Sequence, residues 1–595
     1  MRCSLVAVAA LLCGAALAQP SAEDAAADTN AIETLTVEQA EKLPPRLELH
    51  LNGLRELPAE VARALAQRKC SLSLDGLTSI SDQAAEALEI REKKTQAFQI
   101  VNQGLSLNGL TTLSSRQAES LVRNRDGTLS LNGLKDLPAD TAKALAQFEK
   151  AVFLNGLTSL SAAAAQALGS RTSGGALHLD GLTNLTDDVA DALPKPAARA
   201  TPGVVSFGPV PKLSLNGVTA LSTRQAQSLA KQEGLLSLDG LTDISPDVAR
   251  ALATQSLLHL NGLTSLSPQA AKELSKRLFT SLDGLAVLPL EVAKELGKAR
   301  CSLSLGGLDE LPPDVAAALA QGTGTLRFAG LSALSDETAK ALAKHKDGDL
   351  YLDGIATVSD KQAADLAKHR RSLSMEGLTE LTSVPLAAKL AKAGGNVSFK
   401  KLTILSPDAA RALAKMSVPL SLDALPELSE DVARALATHK DGLELDGLPA
   451  ISPEAAKALA KHRGYLSLQG LTALTDDTVV ALMAHPNVSV PDKCIAGLTT
   501  LSPEAAAVLV KHESHSQYLN LDGLTTLAFE TARVLAKHKG HLSLNGLTTL
   551  SSEAAEELAK HKESVWLLRL TELPDDGATT LRKNPNIVLP DGFGH

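Results

Sequence analysis

Histidine is the side chain whose recurrence in this 595-residue chain most invites a chemical reading. His345, His369, His439, His462, His485, His512, His538 and His561 stand at one register of a repeated stretch, with His515 and His541 three residues beyond two of them. Stacking such a stretch would align the eight in a column, and imidazole is a common metal ligand. The competing reading is structural: the register ends a helix, usually beside a lysine, where a cation suits the dipole and reaches free carbonyls. Aspartates at another register, such as Asp239, Asp283, Asp353 and Asp446, raise calcium. Calcium repeats, however, cluster several acids per turn, whereas each unit here offers one, so turn chemistry accounts for them better. No Gly-x-Ser-x-Gly elbow, phosphate-cradling glycine loop, His-Glu-x-x-His or Cys-x-x-Cys is present, and Ser, His and Asp recur as copied positions. The expectation is a protein that is not an enzyme and carries no cofactor or metal.

What must position these residues is one unit written many times. Taking Gly546 of the stretch Leu542 to His561 as position zero, counterparts from Gly53 to Arg569 make 22 units, usually 22 to 24 residues apart. A fixed period of that size signals a solenoid, in which each unit contacts mainly its neighbours. Leu-x-Leu at −4 to −2 alternates as a short strand does. Asn or Asp then precedes Gly, a dipeptide read as a tight bend tolerant of positive φ. Sequences such as Ser452-Pro453-Glu454 supply a helix cap, a proline in the first helical position and an acid in the first turn. The helix places Ala at +9 in 20 of the 22 units and Leu at +12 in 21, three apart and so on one face. A small residue at fixed spacing implies that each helix approaches the strand layer closely.

Composition agrees with a long, thin core. Hydrophobic residues make up 44% of the chain but aromatics only 2%, so the core must be Leu, Ala and Val. The net charge of −9, with basic residues scattered singly, argues against a nucleic-acid groove or a polybasic membrane patch. Residues 1–18 carry Arg2, an apolar run from Leu5 to Leu17 and a small-x-small end at Ala16-Leu17-Ala18, the pattern of a cleavable secretory signal. The run is too short for a spanning helix, and no later segment reaches that length. Export follows, to a periplasmic, secreted or envelope-associated location. Residues 19–30 read as a disordered acidic leader and 31–46 as an N-terminal capping half-repeat with Thr36 as its helix cap. Regular units occupy 47–485, with irregular insertions at 89–104 and 194–211. An irregular strand segment or seam follows at 486–496, more units at 497–584, and a capping strand and tail at 585–595.

The run Leu49-His-Leu-Asn-Gly-Leu-Arg-Glu-Leu-Pro58 resembles the leucine-rich repeat, and the match extends over nearly all of the chain beyond its first residues. The resemblance implies an α/β repeat: a right-handed solenoid with one short parallel strand, on the concave side, and one helix per unit, and usually a binding scaffold. The pattern departs in one respect. Asn or Asp directly follows the second leucine, which shortens the turn and sets the family's buried asparagine ladder in doubt.

On the outward strand position, −3, twelve of the 22 units carry serine. The departures include His50, Phe153, His178, His259, Arg327, Tyr351, Glu444 and Trp566, while Phe279, Tyr465 and Tyr518 lie at −5 on the same face. Exposed aromatics on such a face act as anchors for a protein or polysaccharide ligand, or else they fill gaps and cover an end. Two functions stay open: a binding scaffold that uses this face, and a structural envelope spacer that associates with itself.

Overall fold

The computed structural model describes residues 29–43, 48–68, 70–89, 104–123, 127–171, 175–193, 212–232, 234–255, 257–276, 279–300, 302–392, 399–512 and 517–593. The expected signal at 1–18, most of the expected leader and essentially all of the two expected insertions lie outside them. The chain divides into two compact units, Met1–Leu308 with Gln321–Gly324, and Asp309–Ala320 with Thr325–His595.

In the first unit eleven short strands, from Glu48–His50 to Ser302–Ser304, lie parallel in sequence order. Their register sets leucine against leucine, as in Leu49↔Leu72 and Leu105↔Leu129. The second unit repeats the arrangement in shorter runs. Leu326–Arg327, Leu350–Tyr351 and Leu373–Ser374 pair in order, then Glu380–Leu381 pairs with Ile404–Leu405. Two four-stranded sheets follow, one from Leu420–Ser421 to Val488–Ser489 and one from Tyr518–Asn520 to Ile587–Val588. At the segment 486–496 the strand Val488–Ser489 closes its sheet and a short helix, Asp492–Ala496, stands where a regular unit would place its next strand.

Most strands lead into a short helix, commonly of seven residues. Pro246–Leu252 is representative: Pro246 sits in the first turn and the Ser245 hydroxyl accepts the Val248 N–H, satisfying a donor the helix leaves free. Ala62, Ala249 and Ala555, all at +9, have no exposed surface, and neither do Leu252, Leu274 and Leu558 at +12. These residues close the core between strand and helix layers. The fold is a leucine-rich-repeat-like α/β solenoid within each unit.

The bend departs from its sequence reading. Among the described residues only Gly234 has a positive φ, so the repeated glycines are not there for left-handed backbone. A Cβ on Gly76 would overlap the carbonyl oxygens of Asn52 and Leu54, and one on Gly133 those of Asn108 and Leu110. Glycine is required because one turn lies directly against the backbone of the turn before it.

That close stacking also builds a side-chain ladder, half-buried at the bend rather than the buried ladder that the shortened turn had set in doubt. Asn52 Oδ1 accepts the Asp75 N–H at 2.9 Å, Asp75 Oδ1 that of Asn108 at 2.8 Å, and Asn108 Oδ1 that of Asn132 at 2.9 Å. From Asn30 to Gly306 the chain of side chain to next N–H runs through eleven consecutive links. Asn and Asp serve alike because the site needs only an acceptor oxygen. The first rung is Asn30, and Thr29 Oγ1 donates to the His50 carbonyl at 2.6 Å, so the 3-10 turn Thr29–Ala31 joins the ladder ahead of the first strand.

Candidate functional site

The outer face of the strand layer is shaped by this ladder. Ten of the eleven described serines at −3 donate their hydroxyl to the ladder oxygen of the preceding turn, for example Ser73 to Asn52 at 2.7 Å, Ser106 to Asp75 at 2.6 Å and Ser543 to Asp522 at 2.6 Å. Ser214, Ser237, Ser281 and Ser543 are buried. The serine row is thus no neutral outward surface. It is a second set of bonds in the ladder, and a residue that replaces serine after an Asn or Asp turn gives up that bond.

The replacements gather. Phe153 lies flat on His178, ring centroids 4.3 Å apart and planes 13° apart, and His178 Nδ1 is 3.9 Å from Asp180 Oδ2. Burial lowers the His178 pKa, opposed by the Asp180 charge. His259 and Phe279 meet at 6.0 Å, and burial lowers the His259 pKa against the pull of Asp239 and Asp283. In the second unit the Arg327 guanidinium lies 3.7 Å over the Tyr351 ring. Trp566 meets Tyr518 edge-on at 5.9 Å and His541 at 5.7 Å, beside the exposed Val588 on the neighbouring strand. Tyr518 is 47% exposed. Three candidates stand outside these groups. His50 reaches only Glu48, at 3.8 Å, Glu444 sits between the serines Ser421 and Ser467, and Tyr465 stands alone with half its surface open.

His541 is the member of the C-terminal cluster that sequence reasoning passed over. Its −5 register, the same as that of Tyr518, was the available signal, and the pairing Tyr518↔His541 realises it.

The histidine column also differs from its sequence reading, because it is buried rather than spread over helix ends at the surface. His345, His369, His439, His462, His485, His512, His538 and His561 are all buried. Their rings stack nearly parallel: His345 on His369 at 6.0 Å, His439 on His462 at 6.2 Å, His462 on His485 at 5.8 Å and His538 on His561 at 6.2 Å. Ring nitrogens face carbonyl groups of the preceding unit, as His439 Nδ1 faces Ala414 O at 3.2 Å and His512 Nε2 faces His485 O at 3.1 Å. The contact with free carbonyls is the one expected, but across units rather than within one helix. Among the described residues no group of three His, Cys, Asp or Glu gathers as a metal site.

The first unit fills the same register with other donors. Arg68 donates to the carbonyls of Ala40, Glu41 and Leu43, Arg171 to Lys150 O at 2.7 Å, and Gln255 Nε2 to Gln232 O and Gly234 O at 2.8 and 3.0 Å. Asn584 Nδ2 does so in the last turn, to Ala559 O and His561 O. The register is a staple between successive turns.

No family model matches the chain, and no curated protein matches it. Among solved structures it is similar to a leucine-rich-repeat protein of Leptospira interrogans, at 20% identity over 72% of this chain and 97% of that one, TM-score 0.31. An internalin of Listeria monocytogenes is similar at 16% identity over 47% of this chain and 80% of its own, TM-score 0.33. The Toll–Spätzle complex of Drosophila is similar at 12% identity over 91% and 61%, TM-score 0.39. The fold assignment rests on the register, ladder and core of this chain itself. No helix among the described residues is long and apolar enough to cross a membrane.

Proposed function

We propose that the protein is an exported, non-catalytic scaffold that binds a protein or glycan through the ring-bearing spots of its strand faces. The observation that carries this reading is the grouping of serine replacements. Giving up a hydrogen bond in the ladder costs about 0.5–1.5 kcal/mol, yet Phe153, His259 and Trp566 take that place, while Arg327 and Tyr351 follow turns whose Gly306 and Ala329 carry no ladder oxygen, and these groups present partly exposed, rigid surface, the kind that anchors partners. Capture of partners from native envelope extract by the wild-type chain, by Tyr351→Ala and by Tyr518→Ala/Trp566→Ala tests it. Loss of a captured species with either variant supports the reading, and equal capture by all three rejects it. Export rests on residues 1–18, and mass spectrometry of the exported protein should find Gln19 as its first residue.

The second reading, a self-associating spacer, draws on the serine row, whose hydroxyls are occupied within the ladder and leave much of the face uniform. Light scattering on the purified chain separates the two: concentration-dependent assembly favours the spacer, a stable monomer the scaffold.

A further inference from the structure

The staple register carries information beyond binding. In the first unit its donors include Arg68, Arg171 and Gln255, with Gln232, Phe148 and Ala299 at the same register. In the second unit, eight of its members are buried imidazoles. Arginine and glutamine keep one protonation state across the physiological range, whereas imidazole changes state near neutrality.

The block His439, His462, His485 shows what a second proton would meet. His485 Nδ1 accepts the Asn487 N–H at 3.1 Å, so a proton there breaks that bond. His439 Nδ1 faces Ala414 O, while its Nε2 is buried and makes no hydrogen bond. His462 is packed between the other two rings and faces the carbonyls of His439, Asp441 and Tyr465. Charge would also accumulate. The titratable groups acting on His462 and His485 are His439, His462 and His512, with no carboxylate among them. In the stacked pair His345–His369, His369 faces Lys389 from the following helix and His345, with the Gly348 backbone and Asp349 opposing. For His369, His462 and His485, burial and the neighbouring imidazoles, with Lys389 beside His369, outweigh the backbone carbonyls that favour the imidazolium, and the stacking at about 6 Å sets like charges against one another once two neighbours are protonated.

We infer that the histidine staples make the second unit an acid-responsive element: protonation of the stacked, buried imidazoles releases the turns between helix and following strand, while the first unit, stapled by arginine and glutamine, keeps its turns closed. The released turns lead into the strands Leu443–Glu444 and Leu466–Ser467, next to Tyr465. The inference stands apart from the binding reading, since it concerns the turns and not the strand face.

Hydrogen exchange of the full chain, followed peptide by peptide at pH 7.5 and pH 5.0 and corrected for the intrinsic pH dependence of exchange, tests it. Peptides covering 436–490 should lose protection about tenfold or more at pH 5.0, while those covering 234–255, which hold the Gln255 staple and no histidine, keep theirs. The triple variant His439→Gln/His462→Gln/His485→Gln installs the donor found at Gln255 and should keep protection at pH 5.0. Equal loss in both regions, no loss in either, or a triple variant that responds like wild type overturns the inference. If the triple variant is unfolded at pH 7.5, His462→Gln alone decides: a diminished response supports the acid switch, and an unchanged one refutes it.

Discussion

Asn132 shows how much one side chain does in this fold. Its N–H donates to Asn108, its Oδ1 accepts the Asn155 N–H at 2.8 Å, and its Nδ2 donates to Ser130 Oγ at 3.0 Å. Asn132→Ala leaves a backbone N–H of the next turn without its acceptor and should cost about 1–3 kcal/mol. Asn132→Asp retains the acceptor and should cost less; urea unfolding midpoints of the two variants make the comparison. Gly133→Ala drives a methyl group into two carbonyl oxygens, so it should destabilise at least as much as Asn132→Ala. Equal stability of Gly133→Ala and wild type would contradict the stacking account. His369 gives the pH dependence its sign. Burial, with Lys389 and His345, lowers its pKa from 6.5 to about 4, so the folded state prefers neutral imidazole. Its contribution is full above pH 6.5 and is lost as the pH falls from 6.5 toward 4. The melting temperature should therefore fall across that interval for wild type and less for His369→Gln.

Among the elements, the helices are set by their ends and by one small residue. Ser245 caps Pro246–Leu252, and Ser245→Ala should cost about 1 kcal/mol. Ala249 has no exposed surface, and Ala249→Leu should overpack the core by about 1–3 kcal/mol. A thermal scan that shows no loss for Ala249→Leu would place that residue away from the strand layer. Both features are legible in sequence, because a cap and a helix face depend on neighbours within a few residues. Serine at −3 was not legible in the same way. Alternation identified its direction but not its partner, since the ladder oxygen it binds lies roughly one period away along the chain.

Each unit of the molecule is held by contacts between successive turns, and stability in such arrays is close to a sum of nearest-neighbour terms. The ladder is continuous from Asn30 to Gly306 in the first unit. In the second it survives in pieces, Asp353 to Glu376, Asp423 to Gln469 and Asp522 to Leu568, with Glu376, Gln469 and Leu568 standing where an Asn or Asp would carry it on. Opening should therefore be easier at the breaks, and exchange near Lys400–Lys401 should outpace that near Asn132–Gly133 at neutral pH. Slower exchange near Lys400 would show that the ladder does not govern local stability.

By itself the sequence determined the period, the strand and helix of the regular units, their buried faces and the register of the candidate residues, because all of these follow from spacing along the chain. Only the tertiary structure decided what the registers mean. The repeated glycine answers a carbonyl in the turn before it, the Asn or Asp forms the ladder, the serine joins it, and the histidine becomes a buried staple. Each of these roles is a contact between consecutive turns, and no pattern within one unit states how closely the next will lie.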